Sequence, residues 1–208
     1  MSALDLYLTE VRPSAPGVPD PVAFKAIRSA AIEFCERTRL WKYEDDYDVT
    51  AEDCGEIFTP NGSVLHDVEI MMFDGRELLP KTSRDLDAIM PRWRLGNDET
   101  SGLSMYFTQI EQNSFRIVPA NDGHINLCLR LKPSPTTMEL PDFLANEYKE
   151  IIGWGALGRI LTIPGQSYSS PDLATYYRGL FIEKIDRLST KSTTGQQNAP
   201  KRSRSRFF

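Results

Sequence analysis

The chain predicts an α+β protein: an antiparallel helical bundle, a small antiparallel β domain inserted into it, and an extended C-terminal arm. Three observations carry this expectation. Apolar residues recur at helical spacing near both ends, in residues 24–38 and again in 144–188. Between them, short alternating runs are separated by turn signals. Residues 190–199, ahead of a basic end, are polar and hold little that could be buried. Helices with one apolar stripe bury it against each other, and a β block between them is accommodated as an insertion. The expected bounds are 1–41 with 133–190 for the bundle, 42–132 for the inserted β domain, and 191–208 for the arm.

Residues 1–19 contain Pro13, Pro16, Gly17 and Pro19 and read as an ordered or semi-ordered arm ahead of the first helix. Asp20-Pro21 is a helix start, because a proline there loses no hydrogen bond. Phe24, Ile27, Ala31, Phe34, Cys35 and Thr38 follow at helical spacing, with Arg28, Glu33, Glu36 and Arg37 largely on the other face. The helix is expected to end near Leu40-Trp41.

The middle of the chain reads as strands. They are expected over Tyr43 to Thr50, Val64 to Phe73, Ser104 to Ile110, Phe115 to Val118 and His124 to Lys132. Asp74-Gly75 and Asp122-Gly123 are hairpin signals. Thr82-Ser83-Arg84-Asp85 opens a short helix with Leu86, Ile89 and Met90 turned inward. Evenly spaced short strands suggest a small β-sandwich or a curved sheet.

Leu140-Pro141-Asp142 opens the second long helix, expected to run to about Thr162. Leu144, Tyr148, Ile151, Ile152, Ala156, Leu157, Ile160 and Leu161 form its stripe, and Pro164-Gly165 ends it. Ser170-Pro171-Asp172 opens the third, whose stripe is Tyr176, Tyr177, Leu180, Phe181, Ile185 and Leu188. A loop of about eight residues between them suits antiparallel neighbours.

Composition excludes several classes. Three widely spaced cysteines, Cys35, Cys54 and Cys128, argue against a disulfide framework and for reduced, buried thiols of a protein made inside a cell. No signal peptide is read at the N-terminus, and no apolar run approaches the ~20 residues of a membrane span. The net charge of −5 is uneven: residues 191–208 carry five basic residues and no acid, leaving 19 basic and 29 acidic residues in 1–190.

Chemical motifs are sparse. Gly153-Trp154-Gly155-Ala156-Leu157-Gly158 spells a dinucleotide-binding fingerprint, but that fingerprint needs a strand before it and a helix opening within it. Here the preceding residues are already helical, so the glycines read as points of close packing. His66 and His124, the only histidines, lack an acid or cysteine at ligand spacing. The acidic run Asp45, Asp46, Asp48, Glu52 and Asp53 does not fit a calcium loop and reads as a solvated strand and loop. It is also compatible with a surface that does not retain passing DNA. No catalytic triad assembles, and no metal or cofactor is expected. In the tail, Lys201, Arg202, Arg204 and Arg206 precede Phe207-Phe208. Arginines that can pair with carboxylates, ahead of two aromatic anchors, read as an arm that folds on a partner. The rival reading is a nucleic-acid-binding regulatory protein using the same basic residues.

Several segments together resemble the head-to-tail adaptor, or connector, proteins of tailed bacteriophages. They are the run Ala26 to Thr38, Leu140-Pro141-Asp142-Phe143-Leu144, the run Gly155 to Leu161, the run Pro171 to Tyr177, and the closing Arg204-Ser205-Arg206-Phe207-Phe208. The resemblance implies a non-enzymatic homo-oligomeric ring, usually of twelve copies, placed under the portal at the head–tail junction after genome packaging. It implies that the bundle meets the portal protein and neighbouring copies, and that the β region points to tail proteins of the nozzle or tube. The arm would bind the portal through Lys201, Arg202, Arg204, Arg206, Phe207 and Phe208. Genomic DNA would pass the lumen without sequence-specific binding, and no membrane would be involved. The protein would be made in the host cytoplasm, remain monomeric or weakly associated alone, and become part of the virion.

Overall fold

A computed structural model describes residues 1–51, 55–94 and 102–192, with side chains up to 189. The chain opens with β1 (Ser2–Ala3), a 3-10 turn (Leu4–Tyr7), α1 (Leu8–Val11) and α2 (Asp20–Thr38). There follow β2 (Lys42–Val49), β3 (Gly55–Glu56), β4 (Ser63–Phe73), β5 (Arg76–Glu77), β6 (Leu79–Pro80) and α3 (Ser83–Ile89). Then come β7 (Tyr106–Thr108), β8 (Ser114–Val118), β9 (Gly123–Pro133) and β10 (Glu139–Leu140). The described chain closes with α4 (Asp142–Glu147), α5 (Lys149–Ile160) and α6 (Pro171–Ser192). It divides into two compact units. One comprises Met1–Trp41, Gly62–Val64 and the described residues from Lys132 onward; the other comprises Lys42–Asn61 and Leu65–Leu131.

In the helical unit, α2, α5 and α6 pack pairwise on one core. Pro21 sits in the first turn of α2. The helix stops where Arg39 turns left-handed at φ 55°, its N–H closing on the Cys35 carbonyl at 2.8 Å. Ile27, Ala30, Ala31 and Phe34 of α2 meet Ile152, Ala156 and Ile160 of α5 and Phe181 and Ile185 of α6, all fully buried. Each large apolar side chain so buried contributes roughly 1.5–3 kcal/mol.

Three expectations change here. Residues 1–19 are not an arm. Leu4, Tyr7, Leu8 and Val11 are buried in the same core as α2. Their spacing of three, one and three is itself helical, and Ser2 pairs in antiparallel register with Leu140. The expected single helix from Pro141 to Thr162 breaks at Tyr148, which has φ −125° and ψ 11°. That backbone lets the Tyr148 ring lie 5.0 Å from Phe34 and 6.3 Å from Phe143, centroid to centroid. On α6, Tyr176 points outward at 60% exposure, and Ala174 takes its place in the core.

The β unit holds two four-stranded sheets, ordered β2-β9-β4-β5 and β3-β8-β7-β6. β2 pairs antiparallel with β9 from Lys42↔Arg130 to Val49↔Gly123. On β9, Ile125, Leu127, Leu129 and Leu131 are buried, as period-two alternation requires. Asp74 and Gly75, both at positive φ, make the expected tight turn from β4 to β5. Thr82 and Asp85 form a reciprocal capping box at the start of α3.

Three details depart from expectation. Asp122-Gly123 is not a hairpin turn, because β8 and β9 lie in different sheets. Asp122 instead accepts a hydrogen bond from the Ala51 N–H at 2.7 Å, and Gly123 leaves room for the Phe73 ring, 2.4 Å from where a Cβ would sit. β6 and β7 pair in parallel, with Leu79↔Tyr106; α3 lies between them in the chain, and parallel strands need such a crossover. Ile89 of α3 is 49% exposed, whereas Leu86 is buried against Trp93 and Val118.

Candidate interaction surfaces

The expected portal-binding residues, Lys201, Arg202, Arg204, Arg206, Phe207 and Phe208, lie outside the described residues, as do Glu52, Asp53 and Cys54. What the described chain offers is a closed helical interior and a partly open β surface.

Glu33 of α2 holds the helical unit together at its polar seam. Arg178 of α6 donates two hydrogen bonds to its carboxylate, at 2.7 and 2.8 Å. Arg159 of α5 donates a third, and Arg37 lies 3.7 Å away. Burial alone would raise the Glu33 pKa, but the hydrogen bonds from Arg178 and Arg159 outweigh it and hold the carboxyl below its usual range. Three polar residues of α2 have further partners. Arg28 donates to the Thr137 carbonyl at 3.0 Å, Glu36 accepts from Lys132 at 2.6 Å, and Arg37 pairs with Asp186. These partners are far apart in the chain, so local spacing gave no signal of them.

The glycine run behaves as points of close packing. A Cβ at Gly155 would lie 2.7 Å from the Phe181 ring and 2.9 Å from the Ala30 methyl. One at Gly153 would lie 2.6 Å from Glu10, and one at Gly158 3.3 Å from Arg178. No phosphate cradle forms, since all three lie inside α5. Cys35 is a buried free thiol, and its surroundings push its pKa up, chiefly through burial. Cys128 is also free but half-buried, which departs from the expectation that the cysteines are buried.

On the β unit, Glu44, Asp46 and Asp48 are exposed along β2. The His124 Nδ1 lies 2.8 Å from Asp48 and its Nε2 3.5 Å from Asp46. The hydrogen bond to Asp48 raises the His124 pKa, with Asp46 and Asp74 adding to it. The strand pairing Asp48↔His124 creates this contact between residues 76 apart in the chain, which local spacing does not show. Toward the other end of the β2–β9 ladder, Glu69 accepts from Lys42 at 2.9 Å and lies 3.2 Å from Arg130. Among the described residues, no group of three or more histidine, cysteine or acidic side chains could hold a metal ion. No helix there is long and apolar enough to cross a membrane.

The helical unit carries an open groove of about 540 Å³, lined by Val22, Lys25, Ala26, Arg159, Ile160 and Ile163. Its lining also includes Pro21 and Ser29. The β unit exposes Leu79, Leu103 and Met105, whose exposure no local pattern in the sequence marks.

No curated protein matches the chain. The family described as SU10 adaptor protein matches residues 1–204, nearly the whole sequence. With that match, the chain belongs to the SU10 adaptor protein family, a family of phage head-to-tail adaptors.

Proposed function

We propose that this adaptor, by its family a structural component of the virion with a non-enzymatic role, assembles as a ring that joins the portal to the tail and lines the DNA conduit. The ring holds twelve copies. Its helical domain, residues 1–41 and 133–190, faces the portal and the neighbouring copies. The inserted β domain, residues 42–132, faces the tail proteins. Residues 191–208 dock on the portal, with Phe207 and Phe208 as anchors and Lys201, Arg202, Arg204 and Arg206 pairing with carboxylates.

The observation that carries the reading is the family match across residues 1–204. Charge supports it: 29 acids against 19 bases in residues 1–190 suit a conduit that lets DNA slide, and five bases without an acid in 191–208 suit a docking arm. Ring contacts and ordering of the arm then occur together, so the isolated chain is monomeric or weakly associated.

The test is imaging of the full chain mixed with its portal. A ring on the portal is the expected result, and deletion of Phe207-Phe208 should abolish its retention. Normal assembly after that deletion would remove the docking role from the arm.

A further inference from the structure

The β unit has two lateral margins, and they differ in charge. β2 and β5 are the outer strands of one sheet, and β3 and β6 those of the other. β2 and β3 share a side, because the Tyr47 hydroxyl donates to the Glu56 carbonyl. β5 and β6 share the other side, because only Leu78 separates them and its N–H bonds to Met71 of β4 at 2.8 Å.

The β2–β3 margin is acidic. Glu44, Asp46, Asp48 and Glu56 are exposed there, Asp46 and Asp48 beside His124 of β9; Lys42 of β2 is paired with Glu69, and no lysine or arginine occurs in residues 43–75. It also presents the Phe58 ring, 59% exposed and edge-on to Tyr47 at 6.1 Å. The β5–β6 margin is basic and apolar. Arg76, Glu77 and Arg84 are exposed, so Glu77 offsets one charge, whereas Asp85 is turned to the Thr82 cap and Asp87 to Arg94 and Trp93. Leu79 and Met105 are joined by a 2.9 Å backbone hydrogen bond and lie exposed, as does Leu103 at 65%.

Two different patches on opposite margins of one β unit, complementary in charge and each with an apolar centre, are what a head-to-tail contact between identical copies requires. Such a contact closes into a ring when the rotation permits. We infer that the β2–β3 margin of one copy docks on the β5–β6 margin of the next, with Asp46 and Asp48 facing Arg76 and Arg84 and Phe58 packing near Leu79, Leu103 and Met105. The inference rests on the ring reading above and names the surface through which the β units join.

The test uses two full-chain variants. Asp46→Lys with Asp48→Lys makes both margins basic, and Arg76→Glu with Arg84→Glu makes both acidic. With portal present, each variant alone should lose ring occupancy by about tenfold or more, and an equimolar mixture should recover it as an alternating ring. Rings formed by either variant alone, or no recovery in the mixture, would overturn the inference. A wild-type chain that makes no ring on the portal removes the ring reading instead. Sedimentation then decides the present inference, at concentrations where each variant is monomeric. A heterodimer in the mixture supports it, and its absence refutes it.

Discussion

The helical unit closes the polar seam of α2 with its own side chains, whereas the β unit leaves charged and apolar side chains exposed along its margins. In the first, the polar seam of α2 closes on α5 and α6 through Glu33, and the glycines of α5 are filled by Phe181, Ala30 and Glu10. In the second, exposed Phe58, Leu79, Leu103 and Met105 lie along margins of opposite charge. The difference teaches where to look for partners. A surface already satisfied by its own chain has little to offer, whereas exposed apolar groups beside charge mark sites of association.

The contrast can be broken at its strongest point. Phe181→Ala empties the space between Gly155 and the two arginines stacked near its ring, Arg178 at 5.5 Å and Arg159 at 6.0 Å. The expected cost is about 3–5 kcal/mol, read by urea unfolding followed through helical circular dichroism. A cost below about 1 kcal/mol would mean that the helical interior is looser than described.

Glu33→Gln should cost about 2–3 kcal/mol at neutral pH, because it leaves two arginines without their shared carboxylate. The pH dependence follows from the lowered carboxyl pKa. Its contribution is fully present above the ordinary glutamate range, near ~4.3, and is lost as the pH falls through the lower folded-state value. Unfolding curves of the two proteins should therefore converge in acid. A gap that stays constant with pH would assign the effect to packing instead of charge.

Leu103→Ser, in the β unit, should change stability by no more than about 0.5 kcal/mol, since the side chain is 65% exposed. A large loss in thermal unfolding would show that Leu103 serves its own fold, and the contrast between the units would weaken.

Much of the architecture was legible because local signals marked it. Asp20-Pro21 and Pro171-Asp172 begin α2 and α6, Asp74-Gly75 turns β4 into β5, Thr82 and Asp85 cap α3, and alternation marks β9. What escaped is set by contacts between distant residues. The prolines at 13, 16 and 19 hid the stripe of Leu4, Tyr7, Leu8 and Val11, and only the ring of Phe34 explains the break at Tyr148. Asp122-Gly123 carried a hairpin signal that the sheet topology overrode. For function, the adaptor resemblance was legible, and the family match supports it. The charge contrast between the β margins was not, because it needs the sheet order to bring β2 beside β3 and β5 beside β6.

The burial of residues 4–11 against α5 has a consequence for biosynthesis. Their partners leave the ribosome about a hundred residues after α2 does, an interval of roughly 5–20 s at ordinary translation speed. Through that wait the first forty residues hold an apolar face with nothing to cover it, while the β unit emerges. A chain halted before residue 140 therefore exposes the sticky half of an unfinished interior, and the cell must shelter it or clear it.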